Sequence, residues 1–194
     1  MIKIYFDGAC EPVNPGGTGS YGWLIKNGDM VLAREGEIIG SGEGMTNNIG
    51  EYTGLIKALE ALQCINIQKE KIEIFGDSSL VCNMVSKKWG WNKKKTKWIP
   101  HEDAPHLKPL LDRALSLLAS YKFEIKWIPR EQNQEADKLS KCPLIRTGIM
   151  GLKTENEKCL KCEGKLIRRN GPFNAFYGCS NYPKCKFTKK IESI

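Results

Sequence analysis

No apolar run in this 194-residue chain approaches the ~20 residues that a helix needs to cross a bilayer. The N-terminal segment Met1-Ile2-Lys3-Ile4-Tyr5-Phe6-Asp7 lacks the basic stretch and long apolar core of a secretory signal, and reads instead as the start of a strand. These absences argue against a membrane partner and lead us to expect a cytoplasmic, reducing setting, in which structural disulfides are rare. Acid is missing where base is densest: Lys87 to Lys97 holds six lysines and no Asp or Glu. Of the net charge of +8, residues 147–194 carry +6 and residues 1–146 only +2, which would be −4 without the lysine-rich segment. Positive charge confined to one loop and the tail points to a polyanionic partner, with solubility as the bland alternative. The remaining composition, 41% hydrophobic and 27% charged, is that of a globular chain with room for one domain of usual size and a small appendage.

What is present reads as an α/β pattern. Residues 2–7 form a first strand ending on Asp7 and turning at Gly8. Turn residues 11–18 lead to a second strand at 20–26, and Asn27-Gly28 marks a hairpin to a third near 30–39. A helix is expected from about Thr46, with Leu55, Ala58, Leu59 and Leu62 as its buried stripe. Glu51 lies on that stripe, so it either meets a cation or strong donor or sits in a frayed end that reaches water. A fourth strand at 72–76 ends on Asp77, and Ser78-Ser79 opens a helix expected through about Trp89. A strand, crossover helix and strand imply parallel pairing, with Asp7 and Asp77 at one edge of the sheet. Another amphipathic helix follows, carrying Leu107, Leu110, Leu111, Ala114, Leu118 and Tyr121, and then a fifth strand with Phe123, Ile125 and Trp127. Asn133 is expected to cap a short helix bearing Asp137.

The segment Lys87–Trp98 interleaves lysines with Trp89, Trp91 and Trp98. Such a pattern suits a nucleic-acid backbone with aromatic surface for sugars or bases; a solvated loop with packed tryptophans is the alternative. Pro143, Gly148 and Gly151 break regular structure, so the expected organisation is a domain at 1–142, a linker at 143–157 and a small module at 158–194.

Four cysteines, Cys10, Cys64, Cys82 and Cys142, are scattered and suit core positions. The other four form two pairs, Cys159-Leu-Lys-Cys162 and Cys179-(five residues)-Cys185, separated by sixteen residues. Two pairs on facing knuckles suit a closed S4 site for structural Zn2+; a disulfide pairing is the weaker alternative. A module this small would owe much of its folding free energy to the metal.

Several short motifs, taken in order, make residues 1–141 resemble a type 1 ribonuclease H. They are Phe6-Asp7-Gly8-Ala9-Cys10, Asn14-Pro15-Gly16-Gly17, Met45-Thr46-Asn47-Asn48 with Glu51, Asp77-Ser78, and Trp127-Ile128-Pro129-Arg130 leading to Ala136-Asp137. The resemblance implies a mixed five-stranded sheet flanked by helices. It implies endonucleolytic cleavage of the RNA strand of RNA–DNA hybrids, with Asp7, Glu51, Asp77 and Asp137 as catalytic ligands of two Mg2+ ions for which Mn2+ can substitute. Four converging carboxylates would repel one another unless cations joined them, and hard oxygen ligands suit Mg2+ or Mn2+. The resemblance further makes Asn14, Asn47 and Asn48 contacts to the hybrid minor groove and Thr46 a contact to a backbone phosphate, although turn and cap geometry also explains these residue types. It makes the loop with Trp91, Lys93, Lys94 and Lys95 a shortened substrate-binding protrusion. One departure stands out: Arg130–Glu135 contains no histidine where many relatives carry one, and the distant His101 and His106 are not assigned that role.

Residues 159–182 resemble the C-terminal zinc ribbons of type I DNA topoisomerases, most specifically in Gly178-Cys179-Ser180-Asn181-Tyr182-Pro183. The resemblance implies single-stranded DNA binding, with Arg168, Arg169, Phe173, Phe176, Tyr177, Phe187, Lys189 and Lys190 as cations and stacking rings; a purely structural ribbon or a protein-docking surface is the alternative. The expected protein is a monomeric hybrid-specific endonuclease. A catalytically idle hybrid-binding protein and a DNA-cutting nuclease of the same fold are the competing readings.

Overall fold

The structure, a computed structural model, describes residues 1–65, 71–87, 105–148, 159–170 and 175–190, with backbone alone at 168–170, 175–176 and 190. The chain divides into two compact units, Met1–Ile149 and Met150–Ile194. The first holds a five-stranded mixed sheet in the order β3-β2-β1-β4-β5. Strands β1 (Ile2–Glu11), β2 (Thr18–Asn27) and β3 (Met30–Ser41) form the antiparallel meander read from the sequence, each reaching further than expected. β4 (Ile72–Gly76) lies parallel to β1, with Phe6 opposite Gly76, and β5 (Phe123–Trp127) lies parallel to β4. Asp7 and Asp77 are each one residue past that last matched pair, so the parallel register brings the two acids side by side where the pairing of β1 with β4 ends.

Alternation along β1 turns Ile2, Ile4 and Phe6 into the core. Against them packs α1 (Asn47–Cys64), whose expected stripe of Leu55, Ala58, Leu59 and Leu62 is buried. Thr46 caps this helix, its Oγ1 accepting from the Ile49 amide at 3.3 Å. The helix α2 (Ser79–Val85) stops short of the expected Trp89: Lys87 has φ of 59°, a left-handed conformation that ends the helical path. After a 3-10 turn at Pro105–Leu107, α3 (Lys108–Leu118) buries Leu111, Ala114, Leu117 and Leu118.

Helix α4 (Gln134–Arg146) corrects two expectations. It runs through Pro143, where the linker was expected to begin, because Pro143 and the next residue, Leu144, are both buried against the unit. A proline costs the helix one hydrogen bond, and that burial offsets the loss. Asn133 stands at the helix start but makes no capping hydrogen bond; its side chain is used elsewhere.

In the second unit, β6 (Leu166–Asn170), β7 (Ala175–Cys179) and β8 (Thr188–Lys190) form an antiparallel sheet in that order. Its small core comprises Cys159, Leu166, Tyr177 and Cys179, with Cys185 and Phe187 packed on it. Tyr177, expected as a stacking ring for nucleic acid, is buried in this core, and Phe187, also expected as one, is partly buried against it. A unit with so few apolar groups has to spend its rings on burial.

Candidate active site

Close backbone approaches assemble the site. A Cβ on Gly8 would overlap the backbone of Gly50 and Glu51, so the bare glycine lets the first turns of α1 close on β1 and carry Glu51 toward Asp7. On α4, the backbone at Ala136–Ser140 occupies the space that a Cβ on Gly22 would need. Gly22 is the cross-strand partner of Asp7, so this second approach brings α4 beside the same acid.

Asp7, Glu51 and Asp77 each offer a carboxylate oxygen to one cluster in which all three oxygens lie within 4.8 Å of one another. Asp7 is 3% exposed and Glu51 8%. Glu51 thus does not fray into water, which was the alternative open to it. One of its oxygens, Oε2, is buried with no hydrogen-bond partner, while the Gly8 amide donates to the carboxylate. Burial, reinforced by Asp7 and Asp77, pushes Glu51 well above the usual carboxylate range. Burial likewise raises Asp7 to about 7; a hydrogen bond from Ser140 opposes the rise, and the charges of Asp77 and Asp137 add to it.

Asp137 is not part of that cluster. Its Oδ1 accepts from Arg130 Nε at 2.9 Å and Nη2 at 2.5 Å, and from Lys141 Nζ. Partial burial works against its ionisation, but the hydrogen bonds from Lys141 and Arg130 outweigh this and leave its pKa lowered. The expected convergence of four acids is therefore three acids together and a fourth beside them, neutralised by two cations.

Two side chains that the sequence did not single out for the site support it. Asn133, 1% exposed, donates from Nδ2 to the Phe6 carbonyl and to Asp77 Oδ1, each at 2.9 Å, tying the start of α4 to both β1 and Asp77. Ser140 donates from Oγ to Asp7 Oδ2. Its position three residues after Asp137, on the same helical face, is the one sequence signal that could have found it. Trp127, on the exposed end of β5, donates from Nε1 to the Asp77 carbonyl at 2.9 Å.

The expected groove residues lie together at the start of α1. Asn14 Oδ1 accepts from the Asn47 amide at 3.2 Å, which ties the β1–β2 turn to Thr46, Asn47 and Asn48. Trp91, Lys93, Lys94 and Lys95 lie outside the described residues.

The acid cluster fits a divalent cation. Its donors are all oxygens, the choice of hard cations, and the unpartnered Glu51 Oε2 is the kind of buried anionic atom that demands one. In the second unit, the sulfurs of Cys159, Cys162, Cys179 and Cys185 also form one cluster. Cys159 and Cys185 are 3.6 Å apart at sulfur, and Cys162 and Cys179 3.3 Å. These separations exclude S–S bonds of ~2.05 Å and approach the ~3.8 Å edge of a tetrahedron built on Zn–S bonds of ~2.3 Å. The Lys161 and Asn181 amides donate to Cys159 and Cys179 sulfurs, each at 3.4 Å. The Gly164 amide and then Cys179 draw the Cys162 thiol down to about 6, whereas burial pushes Cys179 up to about 12.

Comparison with known proteins agrees with both units. Residues 1–143 match the family model described as RNase H, and residues 156–194 the model described as topoisomerase DNA binding C4 zinc finger. The chain is 35% identical over 141 residues to ribonuclease HI of Halobacterium salinarum, a match covering 72% of this chain and 62% of that protein. It is 52% identical over 50 residues to DNA topoisomerase 1 of Methanocaldococcus jannaschii, covering 26% of this chain and 6% of that protein. The chain thus spans less than two thirds of either relative. Among solved structures, LC11-RNase H1 in complex with an RNA/DNA hybrid shares 26% identity with a TM-score of 0.63, over 76% of this chain and 99% of that one.

Proposed function

The chain belongs to the RNase H family, whose model matches residues 1–143, and on that premise we propose that it is an endoribonuclease hydrolysing the RNA strand of RNA–DNA hybrids. Asp7, Glu51, Asp77 and Asp137 would hold two divalent cations, Mg2+ or in its place Mn2+. Bound there, such a pair activates a water and stabilises the leaving oxygen of an in-line phosphoryl displacement. The chain's own groups prepare for this. Burial excludes water from Asp7 and Glu51, and Asn133 and Ser140 donate hydrogen bonds to Asp77 and Asp7. Arg130 and Lys141 bring positive charge beside Asp137.

Asn14, Asn47 and Asn48 would read the minor groove, where only the RNA strand shows 2′-hydroxyls, and Thr46 would contact a backbone phosphate. Trp91, Lys93, Lys94 and Lys95 would add backbone and stacking contacts. The four-cysteine unit would hold structural Zn2+ and bind single-stranded DNA, tethering the nuclease to its substrate. We further propose that the protein acts as a cytoplasmic monomer.

The observation that carries this reading is the three-acid cluster with its unpartnered Glu51 oxygen. The test is incubation with Mg2+ and labelled hybrid, double-stranded RNA or double-stranded DNA. Cleavage confined to the RNA of the hybrid is expected. Direct cation ligands matter at least as much as the outer groups that typically contribute 10–100-fold, so Asp7→Asn should lower turnover by about 100-fold or more while hybrid binding in a mobility-shift assay persists. Binding without cleavage by the parent, or cut DNA, would overturn the proposal.

A further inference from the structure

We propose that Ser140 is a positioning residue for Asp7, its hydroxyl holding that carboxylate in the orientation from which it can share a divalent cation with Glu51 and Asp77. This rests on the reading of Asp7 as a cation ligand.

Among the described residues, Ser140 is the one side chain that donates to the Asp7 carboxylate. Ser140 is 0% exposed and Asp7 3%, so water has no ready access to replace that bond. The hydroxyl is itself anchored. The Ser140 carbonyl accepts from Ser20 Oγ at 2.5 Å, and the α4 backbone at this level lies where Cβ atoms on Gly22 and Gly36 would otherwise stand. Packing of α4 on β2 and β3 therefore sets where the hydroxyl sits, and the hydroxyl sets the plane of the carboxylate.

The choice of serine is informative. A serine inside a helix ordinarily returns its proton to a carbonyl three or four residues back. That partner is present here, since Asp137 O lies 2.9 Å from Ser140 Oγ. The contact to Asp7 Oδ2 is the closer of the two and ends on a carboxylate, which makes it the stronger acceptor. Filler for this position would be better served by alanine, which favours the helix more and buries no polar atom. A carboxylate clamped at one oxygen has its rotation about Cβ–Cγ removed before a cation arrives, so less ordering remains to be done on binding.

The test is calorimetric titration of Mn2+ into the full-length, zinc-loaded protein, with steady-state cleavage of hybrid beside it. For Ser140→Ala we expect Mn2+ affinity about tenfold weaker and kcat reduced, with KM for hybrid unchanged. Ser140→Thr, which keeps the hydroxyl, should recover affinity and kcat. Mn2+ affinity of Ser140→Ala within about twofold of the parent would overturn the inference. A parent that binds no Mn2+ beyond its zinc site would instead overturn the reading of Asp7 as a ligand, and this inference with it.

Discussion

Asp7 and Glu51 are carboxylates shut away from water, and their ionised forms bear the cost. Folding raises Asp7 from 3.8 to about 7, chiefly by burial. A carboxyl raised on folding stabilises the native state in its protonated form. That contribution is complete below about pH 4 and is lost as the pH climbs through about 7. In chelator, the melting transition of the larger unit should therefore fall by about 5 °C or more between about pH 5.5 and about pH 8. Millimolar Mg2+ should shrink that fall by joining the ionised acids. A transition temperature that stays level or rises in chelator over this interval would show that the buried acids carry no such cost. Asp137 follows the opposite logic: Lys141 and Arg130 outweigh its partial burial and keep it ionised.

The elements act on the site through their spacing. Strands β1 and β4 bring Asp7 and Asp77 together because they are parallel and in register at Phe6 and Gly76. Helix α1 delivers Glu51 because Gly8 leaves room for its first turns. Gly8→Ala forces a methyl group into the backbone of Gly50 and Glu51, so α1 must move off β1. Overpacking of this kind costs about 1–3 kcal/mol, to be read by urea denaturation. Divalent-cation affinity should weaken with it, since Glu51 moves with the helix. Stability and cation affinity both equal to the parent's would mean that the contact is not the one that places Glu51. Helix α4 shows how packing overrides a local break: Pro143 sits inside it, and Pro143 and Leu144 are both buried.

At the scale of the whole molecule, the net positive charge and the acid cluster lie in different parts of the chain. Residues 147–194 carry +6 of the net +8, whereas the acid cluster belongs to the unit Met1–Ile149. Removing residues 150–194 should weaken hybrid binding and flatten its dependence on salt, because fewer phosphate counterions are released. Cleavage at saturating substrate should persist. Filter binding across a range of salt concentrations, beside cleavage kinetics, checks both parts, and an unchanged salt slope would mean that the four-cysteine unit does not touch phosphate.

By itself the sequence determined the order of strands and helices in the larger unit, the buried stripe Leu55, Ala58, Leu59 and Leu62, the clustered acids Asp7, Glu51 and Asp77 and the four-cysteine spacing. Each is a pattern between neighbours along the chain, and short-range periodicity or ligand spacing records it. Tertiary structure alone decided which groups meet. Ser140 reaches Asp7 across 133 residues of sequence and Asn133 reaches Asp77 across 56, distances over which no local pattern carries information. The same holds for Asn133 itself, which has the residue type of a helix cap yet spends its amide on Phe6 and Asp77. Asp137 was legible as an acid, but its place outside the Asp7, Glu51 and Asp77 cluster, paired with Arg130 and Lys141, was not, because a charge takes whichever partners the packed helices bring within reach. Tyr177 was legible as a ring and not as core, since burial is a property of the folded unit and not of the residue type.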